Sequence, residues 1–459
     1  MFLLSLTILS LLHIPFVYSS LLNLNDASVT STLDVSDPLS CSNTRSSWDI
    51  IWSCSATLFA CTWTAIHPNI PGMDEGRLTV FSRRLGIMMM ALVAPELMIT
   101  WATLQFLSAR DTAKAFNDSA QFHQIRSDYN ESTVTVMSTW SGTNNPHPST
   151  RHVATDAFKE WTVTHGFFAW MGGFMLYCND KPQTTLTPKE LRQFVDKDYV
   201  EMSSIAEADI EDRSKGDALS KSIAILQLVW FVLQLVARYV QNLPVTLLEL
   251  DTLAVAALTS IAYGFWWKKP KDVGRTHAVH WKDTAQSLAL AHDKVDMSSS
   301  EWGDLLLTCI YPWSNLMGSG SYNSSRAGHS RRVPPVGGYE HDNDRHNQII
   351  LFVGCFSGAV FGGLHCLGWN ALFQGHAEQA LWRVASLAIL FSPVFILLLF
   401  SCNIWLGLNE LIAFFALYLS FLVYGVARIT LIILISISFR SLPPGVYDTV
   451  AWTKFIPHL

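Results

Sequence analysis

The chain has 459 residues, half of them hydrophobic and only 15% charged, with a net charge of −6 and a mean hydropathy of +0.25. That balance excludes an ordinary soluble domain and points to a membrane protein, whose 17 Trp suit interfacial belts. No segment builds a basic stripe for nucleic acid, and eight Cys without a CxxC pair give neither a disulfide framework nor a zinc site.

Residues 1–19 read as a signal peptide: the apolar run Phe2–Tyr18 is short for a span, and Val17 and Ser19 sit at the −3 and −1 positions of a cut. An uncleaved anchor is the alternative, and either one sends the chain into the secretory pathway. Residues 20–49 form a polar, lumenal, flexible segment. Spans one and two fill 50–106; the first, about Ile50–Ile66, stops at HPNIPG, where Pro and Gly cannot continue a helix. The polar loop 107–160 holds two acceptor sequons, at Asn117 and Asn130, which are expected to be lumenal and glycosylated. Residues 161–177 are expected as a third span, only just long enough to cross.

Residues 178–221 are expected as a cytosolic, charged helical insert. Thr187-Pro188 with Glu190, and Ser204 with Glu207, supply its helix starts. Spans four and five fill 222–267, and 268–348 is a cytosolic loop whose Gly-, Ser- and Pro-rich latter part is expected to be disordered. Spans six to eight fill 349–437, before a tail at 438–459. The expected fold class is all-α: a polytopic transmembrane helical bundle of about eight spans. Eight crossings leave both mature termini in the lumen and most Lys and Arg in cytosolic segments, as the positive-inside rule asks. Were 161–177 not to cross, every later segment and the charge balance would invert, so the balance favours a crossing.

Glu96 is the sharpest feature. It follows Pro95 inside span two, where a carboxylate in hydrocarbon is costly unless paired or protonated. It reads either as an ion- or proton-coupling group or as the buried partner of Arg238 or Arg428, the two arginines inside apolar runs. Glu249 and Asp251 open span five and are expected to meet interfacial water. His165 and His365 are membrane histidines, for which a satisfied hydrogen-bonding role outweighs metal ligation. His277, His280 and His292 fall short of the dense histidine boxes of membrane di-iron enzymes, so no metal and no cofactor is expected. Gly354, Gly358 and Gly362 recur every four residues along span six, a small-residue face for helix packing within the chain or, less favoured, for a homo-oligomer.

The blocks WDIIWSCSATLFACTWTAIHPNIPG, APE, WTVTHGFFAWMGGF, DRSKGDALSK, WFVLQLVAR, FWWKKP and LPPGVYDTVAWTKFIPHL resemble those of a large family of uncharacterised fungal multi-pass membrane proteins, mainly from basidiomycetes. The resemblance covers most of the chain and implies no activity. It does place Glu96, His165, Arg238 and Arg428 in the group's characteristic segments. A transporter- or channel-like function ranks first, on the association of intramembrane charge with solute pathways. An intramembrane enzyme acting on a lipid-like substrate, or a receptor or scaffold, is the alternative. The partners expected are the bilayer and a small solute or lipid-like ligand, in a membrane of the secretory pathway.

Overall fold

Eleven helices and one small sheet make up the computed structural model, which describes residues 44–72, 75–140, 160–197, 199–201, 205–214, 217–282, 333, 337, 344–371, 373, 375–406 and 410–450. The helices are α1 Ser47–Ala65, α2 Arg77–Val93, α3 Pro95–Trp140, α4 Val163–Trp170, α5 Pro188–Asp196, α6 Glu207–Asp212, α7 Asp217–Val240, α8 Leu247–Phe265, α9 Asp344–Cys366, α10 His376–Leu406 and α11 Glu410–Ser438. The strands are β1 Phe174–Cys178, β2 Lys181–Thr185, β3 Val200–Glu201 and β4 His277–Trp281. The signal peptide and the segment 20–43 lie outside the described residues, as do Ser204, His292 and most of 283–343.

Among the described residues, five helices are long and apolar enough to cross a membrane: α7 to α11. Their outward faces carry large hydrophobic side chains such as Leu226, Phe356, Leu398 and Phe421, as lipid contact requires. α8 is the central post, buried on most of its face among α1, α3, α7 and α9. Thr246 caps it, and the Glu249 carboxylate accepts a hydrogen bond from the Thr246 amide. α1 is less apolar than these five, yet runs parallel to α8 for its whole height. Arg45 meets Glu249 at one end, and the His67 ring stacks near Tyr263 and Trp266 at the other.

Two expectations are corrected. The stretch 161–177 is not a span. α4 is eight residues long and stops at Gly172, whose φ of +81° suits glycine, after which FMLYC becomes strand β1. Its apolar length, taken for a helix, is that of a buried strand hydrogen-bonded on both sides, parallel to β4 and antiparallel to β2. The fold is therefore mostly helical but not all-α. It carries a four-stranded sheet of order β2-β1-β4-β3, and the expected helical insert is a mixed one containing β2, α5, β3 and α6. Thr187, Pro188 and Glu190 do open α5 with a capping box. α6 begins instead at Glu207, where the Ala206 amide donates to Asp209.

The second correction concerns the continuity of span two: α2 and α3 bend by 114° at Ala94, the geometry of a broken span or a re-entrant loop. Pro95 holds its predecessor out of helical geometry and has no amide to continue α2, so APE breaks the run. Both arms return to the same end of α8. Ten residues down α3, Gln105 bonds Trp266; nine residues up α2, Arg84 bonds Trp63 O and Asp272. That end also carries the sheet, α5 and α6, whose core joins Phe116, Trp161, Phe168, Phe174, Leu191 and Val279. We call it the cap end, and the end at the start of α8 the far end.

Candidate functional site

The hairpin tip between α2 and α3 gathers one cluster of buried charge, around Glu96 and Arg428. The last carbonyls of a helix have no partner of their own and need donors when buried. Arg428 on α11 supplies them, donating from Nε to Val93 O (2.8 Å) and from Nη2 to Leu92 O (2.9 Å). Its Nη1 donates to Asp251 Oδ1 at 3.2 Å, and its guanidinium lies 4.2 Å from the Phe361 ring centre. His365 Nε2 stands 3.0 Å from the same Asp251 oxygen and Nδ1 stands 2.8 Å from Phe361 O, so both ring nitrogens face acceptors. Asp251 was expected at interfacial water; it is the anion of a buried triad. Its site one turn into α8 places it under the hairpin tip, which spacing alone does not reveal.

Glu96 is buried but forms no ion pair with Arg238 or with Arg428, among the described residues. It sits in the first turn of α3, where the helix dipole favours a carboxyl. Tyr424, one turn before Arg428 on α11, lies beside it. Glu96 Oε2 and the Tyr424 hydroxyl are both buried and face each other, and neither makes a hydrogen bond of ordinary length in the described structure. Both line a cavity of about 950 Å³ between α3, α9, α10 and α11. Its walls are otherwise almost wholly apolar, from Leu351, Pro393, Ile396, Leu417 and Phe421, and Asn347 and Gln348 stand at the cap-end rim.

Gly354, Gly358 and Gly362 face inward on α9. A Cβ on Gly354 would come within 2.6 Å of Thr100, one on Gly358 within 2.9 Å of Pro393, and one on Gly362 within 2.4 Å of Leu390 N. This face is occupied by α3 and α10 of the same chain, which removes it as an oligomer surface. The other singled-out residues stay apart from the cavity. His165 belongs to the cap: Nδ1 accepts from the Thr162 amide, Nε2 donates to Ile205 O, and the ring stacks on Trp161. Asn117 exchanges two hydrogen bonds with the Trp161 backbone, which occupies the nitrogen a glycan would need; the Asn130 side chain lies outside the described residues. Arg238 is spent at the far end on the carbonyls of Pro244, Val446 and Asp448, next to the Arg45–Glu249 ion pair.

A second polar cluster, at the cap end, carries no mark in the sequence beyond the basic run KKPK. Lys269 Nζ is buried and donates to Asn69 Oδ1 (3.0 Å) and Gln105 Oε1 (2.9 Å), while both amides donate onward to Gly337 O. Burial without a carboxylate pulls its amine down to about 7. His67, alongside, is held well below its ordinary value, first by burial and then by nearby lysines, against a hydrogen bond to Ala65 O.

Five helices long and apolar enough to cross a membrane, among the described residues, define the class: an integral membrane protein of mostly helical fold. Within it, the chain belongs to a family of unknown function, DUF8562, whose model matches residues 16–320. No curated protein and no solved structure matches it.

Proposed function

We propose that the protein crosses its membrane six times, with α1 and α7 to α11, and that α2–α3 is a re-entrant hairpin entering and leaving at the cap end. α1 is included because it matches the height of α8 although its composition is more polar. The basic residues support this reading and set its direction. Arg77, Arg83, Lys221, Lys268 and Lys271 cluster at the cap end, making that end cytosolic and both termini lumenal. Relative to the expectation from sequence only 107–160 changes side, because a hairpin and a non-crossing α4 replace two crossings. The sequons at Asn117 and Asn130 are then cytosolic and unmodified.

In this frame the protein takes a lipid-like molecule into the cavity between α3, α9, α10 and α11. The observation that carries this reading is the pairing of an apolar volume of about 950 Å³ with two buried oxygens, Glu96 Oε2 and the Tyr424 hydroxyl, that have only each other and no hydrogen bond of ordinary length. A ligand pocket has this composition, mostly apolar with few polar groups. A hydrated solute would meet hardly any polar wall there, and the charged triad behind the tip is already engaged with itself. This favours a lipid-like ligand over the solute pathway. The test is native mass spectrometry of the purified protein with and without the triple substitution Leu417→Trp, Ile396→Trp and Leu351→Trp, which crowds the cavity from three walls. A lipid retained by the wild type and lost from the folded variant supports the reading; equal retention by both refutes it.

A further inference from the structure

We infer that the ligand is a long-chain amphiphile with a hydroxyl about a dozen carbons from its polar head. The inference rests on the cavity reading above and specifies the molecule. The polar ends of the cavity are separated by a measurable length of helix. Asn347 and Gln348 mark the rim on α9, and the Glu96–Tyr424 pair lies level with Gly358, one turn beyond the Thr100–Gly354 contact. Eleven residues of helix part Asn347 from Gly358, about 16 Å at 1.5 Å each. On α11 the same interval parts Ala413, near the rim, from Tyr424. An extended chain advances roughly 1.2 Å per bond, so about 13 bonds fill that distance.

The chemistry of the inner end selects the second polar group. Glu96 Oε2 is an acceptor as carboxylate, and the Tyr424 hydroxyl can donate. A ligand hydroxyl satisfies both at once, donating to the carboxyl and accepting from the phenol. A cationic amine would face Arg428, whose charge already acts on Glu96, and a second anion would face Glu96 itself. A plain alkyl chain would leave the two oxygens dry with only each other, short of the hydrogen bonds that buried polar groups need.

The test compares 12-hydroxyoctadecanoic acid with octadecanoic acid, each titrated against the full chain in lipid nanodiscs and read by native mass spectrometry. The hydroxy acid is expected to bind about tenfold or more tightly, the worth of one or two buried hydrogen bonds. Tyr424→Phe and Glu96→Leu should each shrink that preference, by weakening the hydroxy acid and by tightening octadecanoic acid, and retained octadecanoic acid binding shows that the variants are folded. Equal affinity of the two acids for the wild type overturns the hydroxyl inference and leaves the cavity reading standing. Binding of neither acid overturns both. A preference that survives in both variants places the hydroxyl elsewhere and also overturns it.

Discussion

Lys269 turns burial into a measurable pH dependence. Its amine falls from 10.5 to about 7 on folding because it is buried with only amide oxygens as partners. Between those values the unfolded chain carries a proton that the folded protein has released, so stability rises as pH rises from about 7 to about 10.5. It is flat with respect to this group below 7, where both states are protonated. At about 1.4 kcal/mol per pH unit the full interval is worth up to about 5 kcal/mol. Lys269→Met keeps the length of the side chain and removes the charge. Thermal unfolding in detergent at pH 7, 8 and 9 should give a wild-type midpoint that climbs relative to the variant by several degrees. The difference between the two isolates Lys269 from the other titrating lysines. The variant leaves Asn69 Oδ1 and Gln105 Oε1 short of one donor, a fixed offset that does not change with pH. Parallel curves for the two proteins across this range would refute the argument.

The Arg428–Asp251 pair offers a coupling test: Asp251→Leu should cost about 3–5 kcal/mol by leaving a buried guanidinium without its anion. Adding Arg428→Leu should recover only part of that, because Leu92 O and Val93 O then lose their donors; denaturant midpoints of the singles and the double measure it. Gly362→Leu should abolish assembly, since its first side-chain carbon meets the α10 backbone, whereas Gly425→Ala, with open space around it, should leave the thermal midpoint within about a degree. Endoglycosidase treatment of the chain made in microsomes should cause no gel shift at the native sequons, and a sequon introduced near residue 30 should acquire a glycan. A shift that Asn117→Gln or Asn130→Gln removes would put the 107–160 segment back in the lumen.

The long apolar runs were readable because each must satisfy its own backbone in lipid, which is why α7 to α11 appear where hydropathy places them. Charge balance was readable as well. In the proposed topology a turned-back hairpin and a non-crossing α4 return the chain to the same side as two full spans would, so only 107–160 differs, and its five basic residues move to the cytosolic side. The signals for the difference were local: APE in mid-run and the glycine pair in WMGGF, both of which break helices. At the site, Glu96 and Arg428 stood out as charges in apolar surroundings. Tyr424 did not, because one tyrosine on a lipid-rich helix is unexceptional, and its proximity to Glu96 spans more than three hundred residues. Lys269 was hidden for the opposite reason: a lysine after a span reads as an interfacial anchor, and only the fold of Asn69 and Gln105 around it makes it buried.

The junction at the far end has a consequence for how the protein is made. Arg45 and Thr44 bond to Tyr447 and Asp448, and Arg238 holds Val446 and Asp448, so the start of α1 is fastened by residues near the end of the chain. α1 is also less apolar than the five helices that suffice to cross a membrane. During biosynthesis its start therefore gains this last fastening only after residues 446–448 have left the ribosome. A premature stop just after Ser438 would spare every helix and still undo the first one.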